Sequence, residues 1–432
     1  MKKFTKILLI GCLLVMVSCN NWLDVDPKSQ VKDKDLFASE MGFKEALSGV
    51  YSLMTKEGLY GKELTFGWLG VLGQEWTSVP YNYEDDQKYD FENAASEVRI
   101  DSVWTGLYNA IANANKLLKE LEGKENLFSG DNYSIIKGEV LALRAYLHFD
   151  LLRIFGASCA VGMERIAIPY VTEYAPTIFP QEKVGDFVGK VLKDLQDAAK
   201  CLENDPILTG RTVSEIDDNG YLMNRQVHLN YYAVKGLMAR VYLYKGDYAN
   251  AEVCAKEVIG SGCFEGVKQE NLTNESVADL TFSTEHLFAL NIVTLGNIVD
   301  KYLDGGNNSF ALEESRLSEY YGSSYDYRYL YLFKTGVGMS NTLRYLKKYD
   351  QLESVSWAQS YRNKLPLICL PEMYYILAEC RYHSSGDVLE PLNEVCRHRG
   401  VADLSEADLS AFETLLLAEY RKEVIGGGQL FF

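Results

Sequence analysis

The chain has 432 residues, with 60 acidic and 43 basic side chains and a formal net charge of −17. An acidic surface of this kind argues against nucleic-acid binding, which selects basic patches. Hydrophobic residues make up 47% of the chain, enough to bury a full core, and the length allows one large domain or two to three smaller ones.

Residues 1–18 predict an export signal. Three lysines form a basic leader, and the apolar stretch 7–17 is shorter than the roughly 20 residues that a spanning helix needs. The chain continues VMVSCNNWLDVDP, so that Cys19 directly follows the apolar run, as the lipid-bearing cysteine of a bacterial lipoprotein does. We expect cleavage before Cys19 and a lipid anchor on it. Cleavage before Cys12 and ordinary secretion are the alternatives.

The other cysteines do not predict a metal site or a disulfide framework. Without Cys12 and Cys19, seven of the nine cysteines remain, an odd number with no Cys-x-x-Cys spacing. We expect them to behave as small hydrophobic side chains, several of them on apolar helix faces.

Helical periodicity dominates the middle of the chain and predicts helices over residues 103–121, 138–155 and 185–202. The segment from Asn230 to Ile259 predicts two further helices that meet at Gly246-Asp247. Small residues along the first of the two would let helices approach closely, and the Gly-Asp pair would form the tight reversal.

The same pattern returns at residues 371–399 around Gly386-Asp387. Such helical pairs are tetratricopeptide-like, but Gly246 and Gly386 lie 140 residues apart, whereas a tandem array repeats every ~34 residues. Long insertions therefore interrupt the helical pattern, and two stand out, at about 59–90 and, between the pairs, at 264–350. We expect function to lie in these loops. Low-complexity tracts are absent, which favours one compact domain over residues 19–432.

Short motifs along essentially the whole chain resemble the RagB/SusD family of outer-membrane nutrient-binding lipoproteins. Each motif is weak alone, and their number and order carry the resemblance. They are CNNWLDVDP from Cys19, ALSGVY from Ala46, WxxxYxxIxxxN from Trp104, RAYLHFDLLRIFG from Arg144, ARVYLYKGDY from Ala239, DxR from Asp326, ILAE from Ile376 and LNEVCRHRG from Leu392.

The carboxyl end departs from the family pattern. Glu419 to Glu423 leads to GGGQLFF at Gly426 to Phe432, where members show Glu-Gly-x-Arg-Phe and continue to an Asp-Leu-x-Arg segment. We therefore expect a truncated or frame-shifted end, which affects how the last helix packs.

The resemblance implies a mostly α fold, with tetratricopeptide-like pairs in an α-α superhelix, a long irregular ligand face and a few short strands. It also implies that the protein is a surface lipoprotein of the outer membrane. Such a protein captures glycan, or in some members peptide, and passes it to a SusC-like TonB-dependent transporter.

Sugar binding needs flat aromatic faces beside amides and carboxylates. The stretch WTSVPYNYEDD from Trp76 has this composition in a loop. We predict ligand contacts at Tyr81 and Tyr83 first, then at Trp76, Trp68 and Asn82. The alternative is that these rings pin the loop onto the helices.

Tyr320 and Tyr321, beside Gly322, are further ligand candidates. Tyrosines at alternate positions over 325–331 would share one face of an extended segment. That face could be a ligand platform, but packing onto the helices is favoured, with Asp326 and Arg328 pairing on the other face.

Catalytic and metal-binding motifs are lacking, and we expect neither enzymatic activity nor a cofactor. His148 lies one helical turn from Arg144, and Asp217 to Gly220 reads as a solvated turn and not as a calcium loop. A glycoside hydrolase of the same glycan system and a peptide-binding scaffold remain the alternatives to a glycan-binding protein.

Overall fold

The computed structural model describes residues 34–211, 213–214, 220–322, 325–336, 342–351 and 361–432. The predicted lipidation site Cys19 and most of the turn at 217–220 lie outside these residues.

The described residues are mostly helical. From residue 40 onward the α-helices are α1 (Glu40–Met54), α2 (Trp68–Leu72), α3 (Glu84–Gln87), α4 (Ala94–Leu121), α5 (Asn132–Phe155), α6 (Val184–Cys201), α7 (Pro206–Thr209), α8 (Tyr231–Lys245), α9 (Tyr248–Ile259), α10 (Glu270–Thr273), α11 (Leu295–Tyr302), α12 (Glu314–Tyr321), α13 (Tyr327–Tyr331), α14 (Leu370–His383), α15 (Leu389–His398) and α16 (Phe412–Val424). The strands are β1 (His286–Asn291), β2 (Leu312–Glu313), β3 (Phe333–Thr335), β4 (Leu343–Leu346) and β5 (Lys364–Cys369).

The long helices pack in series, as the pattern of helical pairs predicts. Helix α4 packs on α5, α5 on α6, α6 on α8, α8 on α9, α9 on α14 and α14 on α15. The apolar faces from α4 to α14 join one hydrophobic cluster that reaches from Phe37 to Ile425, while Leu392 and Val395 of α15 pack in a second cluster with α14 and α16. Burial of the first cluster is the main stabilising contribution to the helical layer. No helix within the described ranges is both long and apolar enough to span a bilayer.

The two predicted reversals differ in detail. Asn230 caps α8, and its side chain accepts a hydrogen bond from Ala233 N at 3.0 Å. Gly246 ends α8 with a φ of +79°, in the left-handed region that glycine adopts without steric cost. In the second pair the residue with positive φ is Ser385, at +57°, and not Gly386.

The small residues of α8 approach strands and not only helices. Strands β1 and β5 pair antiparallel, with Asn291 opposite Lys364. A Cβ on Gly236 would lie 2.8 Å from a side-chain carbon of Leu287 in β1 and 3.2 Å from one of Ile368 in β5. Glycine is therefore required here because the β ribbon lies against the helix.

A second sheet lies in the second insertion, and a bridge beside it connects the two insertions. Its order is β2-β4-β3, all antiparallel. Just before β2, Ala311 forms an isolated bridge with Ser78 of the first insertion, and N–H···O bonds of 3.0 Å run in both directions. Residues more than 230 positions apart in the chain are thereby held side by side.

The expectation of an extended segment at 325–331 is wrong for the tyrosine run. Residues 327–331 form helix α13, because Asp326 caps it by accepting a hydrogen bond from Arg328 N at 2.9 Å. The predicted pairing of Asp326 with Arg328 is confirmed at 2.7 Å. The tyrosines consequently point around a helical turn and do not share one face.

The last residues lie across the first insertion. Gly426 N donates to Glu75 Oε2 at 2.8 Å, and a Cβ on Gly428 would lie 2.6 Å from Leu64 O. The guanidinium of Arg153 lies 3.6 Å from the centre of the Phe432 ring. The segment after α16 is therefore packed against the helical body.

Candidate ligand-binding face

The first insertion contains a loop, residues 76–83, that is fixed at both ends. At its start, Thr77 and Ser78 each donate a backbone N–H to Ala311 O at 3.0 Å. At its end, the guanidinium of Arg99 in α4 donates to Asn82 O at 3.1 Å. The short segment between these two anchors has little freedom to move.

Arg99 is the centre of the support beneath this loop. Its guanidinium carbon lies 3.9 Å from the centre of the Tyr83 ring, a cation–π contact. The guanidinium also pairs with the carboxylate of Asp86, and its Nε lies 3.5 Å from Glu63 Oε2. Arg99 is 7% exposed, so these contacts are shielded from water.

Three of the predicted ligand residues belong to this support. Trp68, Trp76 and Tyr83 are 3%, 2% and 1% exposed. The indole N–H of Trp68 donates to Asp86 at 3.0 Å, and that of Trp76 to Phe66 O at 2.7 Å. These rings are covered by protein and offer no face to a sugar, which corrects the expectation for them. Their contacts instead match the alternative, in which aromatic rings hold the loop against the helices.

Burial and neighbouring ionisable groups shift the pKa values of the side chains around Arg99. Burial raises the pKa of the Asp86 carboxyl, although Arg99 opposes that shift. Burial and then Glu63 raise the pKa of the Tyr83 hydroxyl, which donates to Glu63 Oε1 at 2.7 Å. Burial alone would lower the pKa of Lys62, but Glu63 at 2.8 Å and Tyr83 together outweigh burial and raise that pKa.

Tyr81 and Asn82 are the predicted residues that reach solvent here. Tyr81 is 86% exposed, and Asn82 is exposed beside it. An exposed ring on a fixed backbone can stack on a ligand with little further loss of backbone entropy. An amide next to it supplies both a donor and an acceptor.

Tyr89 is a further exposed ring that the predicted set does not include. It is 54% exposed, and its hydroxyl donates to Leu72 O at 2.9 Å. Its φ of +60° is unusual for a tyrosine, and such strained positions are often functional. In the sequence, the one indication of this role is that Tyr89 lies in the aromatic-rich insertion 59–90.

The second predicted pair, Tyr320 and Tyr321, lies at the end of α12, next to α16. Tyr321 is 4% exposed, and its hydroxyl donates to Lys422 O at 3.0 Å. It is a core residue, which removes it from the candidate stacking surfaces. Tyr320 is half-buried, with the guanidinium of Arg421 5.0 Å from its ring centre. No described contact brings this pair to Tyr81.

The histidine next to Arg144 in the helical pattern has a structural role. His148 is fully buried, and its Nδ1 lies 2.8 Å from Arg144 O. Its Nε2 accepts the N–H of Val171 at 2.9 Å. Burial lowers the pKa of the imidazole to about 3, so it stays neutral and holds the irregular segment at Val171 on α5.

The described residues contain neither a metal-binding cluster nor paired thiols. No group of three or more His, Cys, Asp or Glu side chains in these ranges could hold a metal ion. The seven cysteines after Cys19 are free thiols, and Cys254, Cys380 and Cys396 are buried, as expected of small hydrophobic side chains.

Comparison with known proteins gives a family match. The family model SusD-like_3, described as "Starch-binding associating with outer membrane", matches residues 21–243. SusD-like protein P38 of Formosa agariphila is 25% identical over 269 residues, which cover 61% of this chain and 47% of that protein. SusD-like protein P2 of the same organism is 26% identical over 272 residues, 60% and 47% of the two chains. The chain thus aligns with about half the length of these relatives.

Solved structures share the fold. A SusD homolog from Bacteroides thetaiotaomicron has a TM-score of 0.72 at 17% identity and covers 93% of this chain and 86% of its own. A putative sugar binding protein from Bacteroides vulgatus has a TM-score of 0.71 at 22% identity, with 91% and 86% covered. A surface glycan-binding protein A from Bacteroides uniformis has a TM-score of 0.68 at 17% identity, with 90% and 86% covered. The predicted helical architecture is confirmed by these likenesses.

Proposed function

The chain belongs to the SusD-like family, and we propose that it is a surface lipoprotein that binds oligosaccharide or polysaccharide and delivers it to a partner TonB-dependent outer-membrane transporter. Its role is binding and not catalysis. The family description, which names starch binding and association with the outer membrane, supports the class of ligand and the compartment.

The single observation that supports glycan binding most directly is the contrast at residues 81–83. Tyr81 is 86% exposed, while Tyr83 two positions later is 1% exposed and clamped by Arg99. A bare ring on a rigid loop, beside the amide of Asn82, has the groups that recognise the C–H face and the hydroxyls of a sugar. Tyr89 supplies a second ring in the same segment, and Tyr320 remains a peripheral candidate.

The binding experiment is calorimetry of the purified protein against a glycan panel and a peptide panel. A heat of binding with glycans and none with peptides would support the proposal. Peptide binding without glycan binding would favour a peptide-binding scaffold and contradict it. Product release from any glycan during prolonged incubation would contradict the non-enzymatic role and favour a glycoside hydrolase.

The anchor and the partner are tested separately. Cys19 is the proposed acylation site, so Cys19→Ala should abolish labelling by a fatty-acid probe in cells, while Cys12→Ala should retain it. Delivery requires that the lipoprotein bind a SusC-like transporter. A purified transporter of that class, encoded beside this chain, should form a complex with the full-length protein that survives gel filtration. Separate elution would contradict the partnership.

A further inference from the structure

A small cavity lies where the segment before β1, strand β5 and helices α14 and α16 meet. Residues of all four line it, and its volume is about 60 Å³. Sites for drug-sized molecules start at about 300 Å³, so this cavity is too small for such a ligand. One water molecule takes up about 30 Å³ in the liquid, and the cavity therefore has room for two.

The Tyr375 hydroxyl, on α14, is the first group at this cavity that needs a partner. The side chain is 0% exposed and lines the cavity, and its Oη has no hydrogen-bond partner among the described residues. Burial and then the charge of Glu423 raise the pKa of this hydroxyl well above its usual range, so it keeps its proton. Glu423 also lines the cavity, which places the hydroxyl end of the ring, and not its backbone end, on the cavity side. Buried hydroxyls in native proteins nearly always bind a protein group or an ordered water.

Lys348, just after β4, is the second such group. It is 8% exposed and lines the same cavity. Its Nζ lies 5.8 Å from the centre of the Tyr349 ring, and it forms no ion pair or hydrogen bond within the described ranges. Lysines are almost never buried without a partner for their charge, and an ammonium carries three N–H donors. Acceptor atoms in the cavity would satisfy these donors.

The charges around the cavity decide between a neutral and a charged occupant. Three carboxylates line it and each is paired with a buried arginine, namely Glu285 and Glu423 with Arg399, and Glu372 with Arg240. An anion could accept from Lys348 but would face these carboxylates, and a cation would face the Lys348 ammonium. Water accepts from the ammonium and can also donate to carboxylate lone pairs that the arginines leave open.

We propose that this cavity binds two ordered water molecules, which accept from the Lys348 ammonium and form hydrogen bonds with the Tyr375 hydroxyl. Buried waters make about three hydrogen bonds each and are part of the fold. This pair connects the second insertion, to which Lys348 belongs, with α14 and α16. The proposal concerns the interior of the molecule and does not depend on the proposed function.

A high-resolution crystal structure of the full chain tests the site directly. It should show two ordered waters in the cavity, with a water oxygen within about 3.2 Å of Tyr375 Oη and one within the same distance of Lys348 Nζ. Crystals grown with bromide in place of chloride separate water from an anion, because bromide gives an anomalous signal. A cavity without density, or an anomalous peak inside it, would overturn the proposal.

Tyr375→Phe tests the same site in solution, because it removes the hydroxyl and keeps the ring. A hydroxyl bound to water contributes to stability, so the variant should have a Tm about 1–3 °C below that of the native chain. A hydroxyl without a partner carries only its desolvation cost, and its removal would raise the Tm. The matched control is Tyr382→Phe, on the same helix and 45% exposed, which should keep the native Tm. A native or raised Tm in Tyr375→Phe overturns the proposal.

Discussion

Arg99 and Arg399 are both buried arginines that hold two carboxylates, but they lie under different surfaces. Arg99 contacts Asp86 and Glu63 and still donates to the backbone of Asn82, beside the exposed ring of Tyr81. Arg399 is 0% exposed and forms four hydrogen bonds of 2.7–2.9 Å with Glu285 and Glu423.

The two arginines differ in what their remaining N–H groups bind. Arg399 donates its remaining hydrogen bond to the backbone of its own neighbour, His398 O at 3.2 Å. Its cluster joins the residue before β1, the end of α15 and α16, and Glu423 extends it to Arg328 of α13 at 3.0 Å. Arg99 extends its contacts to a loop that presents an exposed aromatic ring. The same ion-pair chemistry therefore serves cohesion in one region and positioning of a candidate ligand residue in the other.

We expect the largest effect on stability at the cluster of Arg399, Glu285 and Glu423. Arg399→Ala leaves Glu285 and Glu423 buried without their shared partner and should lower the free energy of unfolding by about 3–5 kcal/mol. Urea unfolding measures this. Arg397→Ala, at an exposed position two residues earlier in the last turn of α15, is the matched control and should cost less than about 1 kcal/mol. Equal losses in both variants would contradict the assignment.

Glu75 connects the two regions, because it precedes Trp76 and accepts the N–H of Gly426 behind α16. Burial raises the pKa of its carboxyl from 4.5 to about 8. The folded state therefore keeps a proton that the unfolded chain releases above pH 4.5. The stability linked to this proton is complete below pH 4.5 and is lost as the pH rises towards 8.

Glu75→Gln removes this proton linkage. Relative to the native chain, the variant should gain on the order of 3 kcal/mol at pH 7 and nothing near pH 4.5. Urea unfolding across pH 4.5–8 measures the difference, with Glu84→Gln at an exposed position as control. A difference that does not grow with pH would show that Glu75 is ionised in the folded state.

Arg99→Lys is a conservative change in the cluster of Arg99, Asp86 and Glu63. A lysine keeps the charge but cannot bridge Asp86, Glu63 and Asn82 O together. We expect a loss of about 2 kcal/mol in the free energy of unfolding, from the buried acceptors left unpaired, and weaker glycan binding. The exposed Arg316→Lys is the control. Native glycan affinity in Arg99→Lys would show that this cluster does not contribute to glycan binding.

Tyr89→Phe should have the smallest effect of the four. It removes only the hydrogen bond to Leu72 O, worth about 1 kcal/mol, and keeps the exposed ring. Glycan affinity should fall less than in Tyr81→Ala, because the ring is still present but is held by its backbone alone. A variant with unchanged stability would show that the hydroxyl does not fix the ring. Tyr174→Phe, also at an exposed ring, is the comparison.

The sequence predicts the helical layer well because helical periodicity is local. The pair α8 and α9 begins and ends within one or two residues of the expected segment. For the tyrosine run at 325–331 the expectation of an extended segment is wrong, because Asp326 caps a short helix there. Alternating rings alone do not separate a strand from a short capped helix.

Which rings face solvent could not be predicted from the sequence. Tyr81 and Tyr83 share composition and context, yet a single 3₁₀ turn exposes one and buries the other. The partner that decides the burial is Arg99, 16 positions further on, and its pairing with Asp86 and Glu63 is set by tertiary packing. No local pattern encodes that contact.

The central claim is that the clamped loop presents Tyr81 to a glycan. Its most direct test is calorimetric measurement of glycan affinity for Tyr81→Ala and for Tyr174→Ala, whose ring is 48% exposed elsewhere on the surface. Tyr81→Ala should weaken binding by about tenfold or more while Tyr174→Ala retains native affinity. Native affinity in Tyr81→Ala, or equal losses in both variants, would contradict the claim.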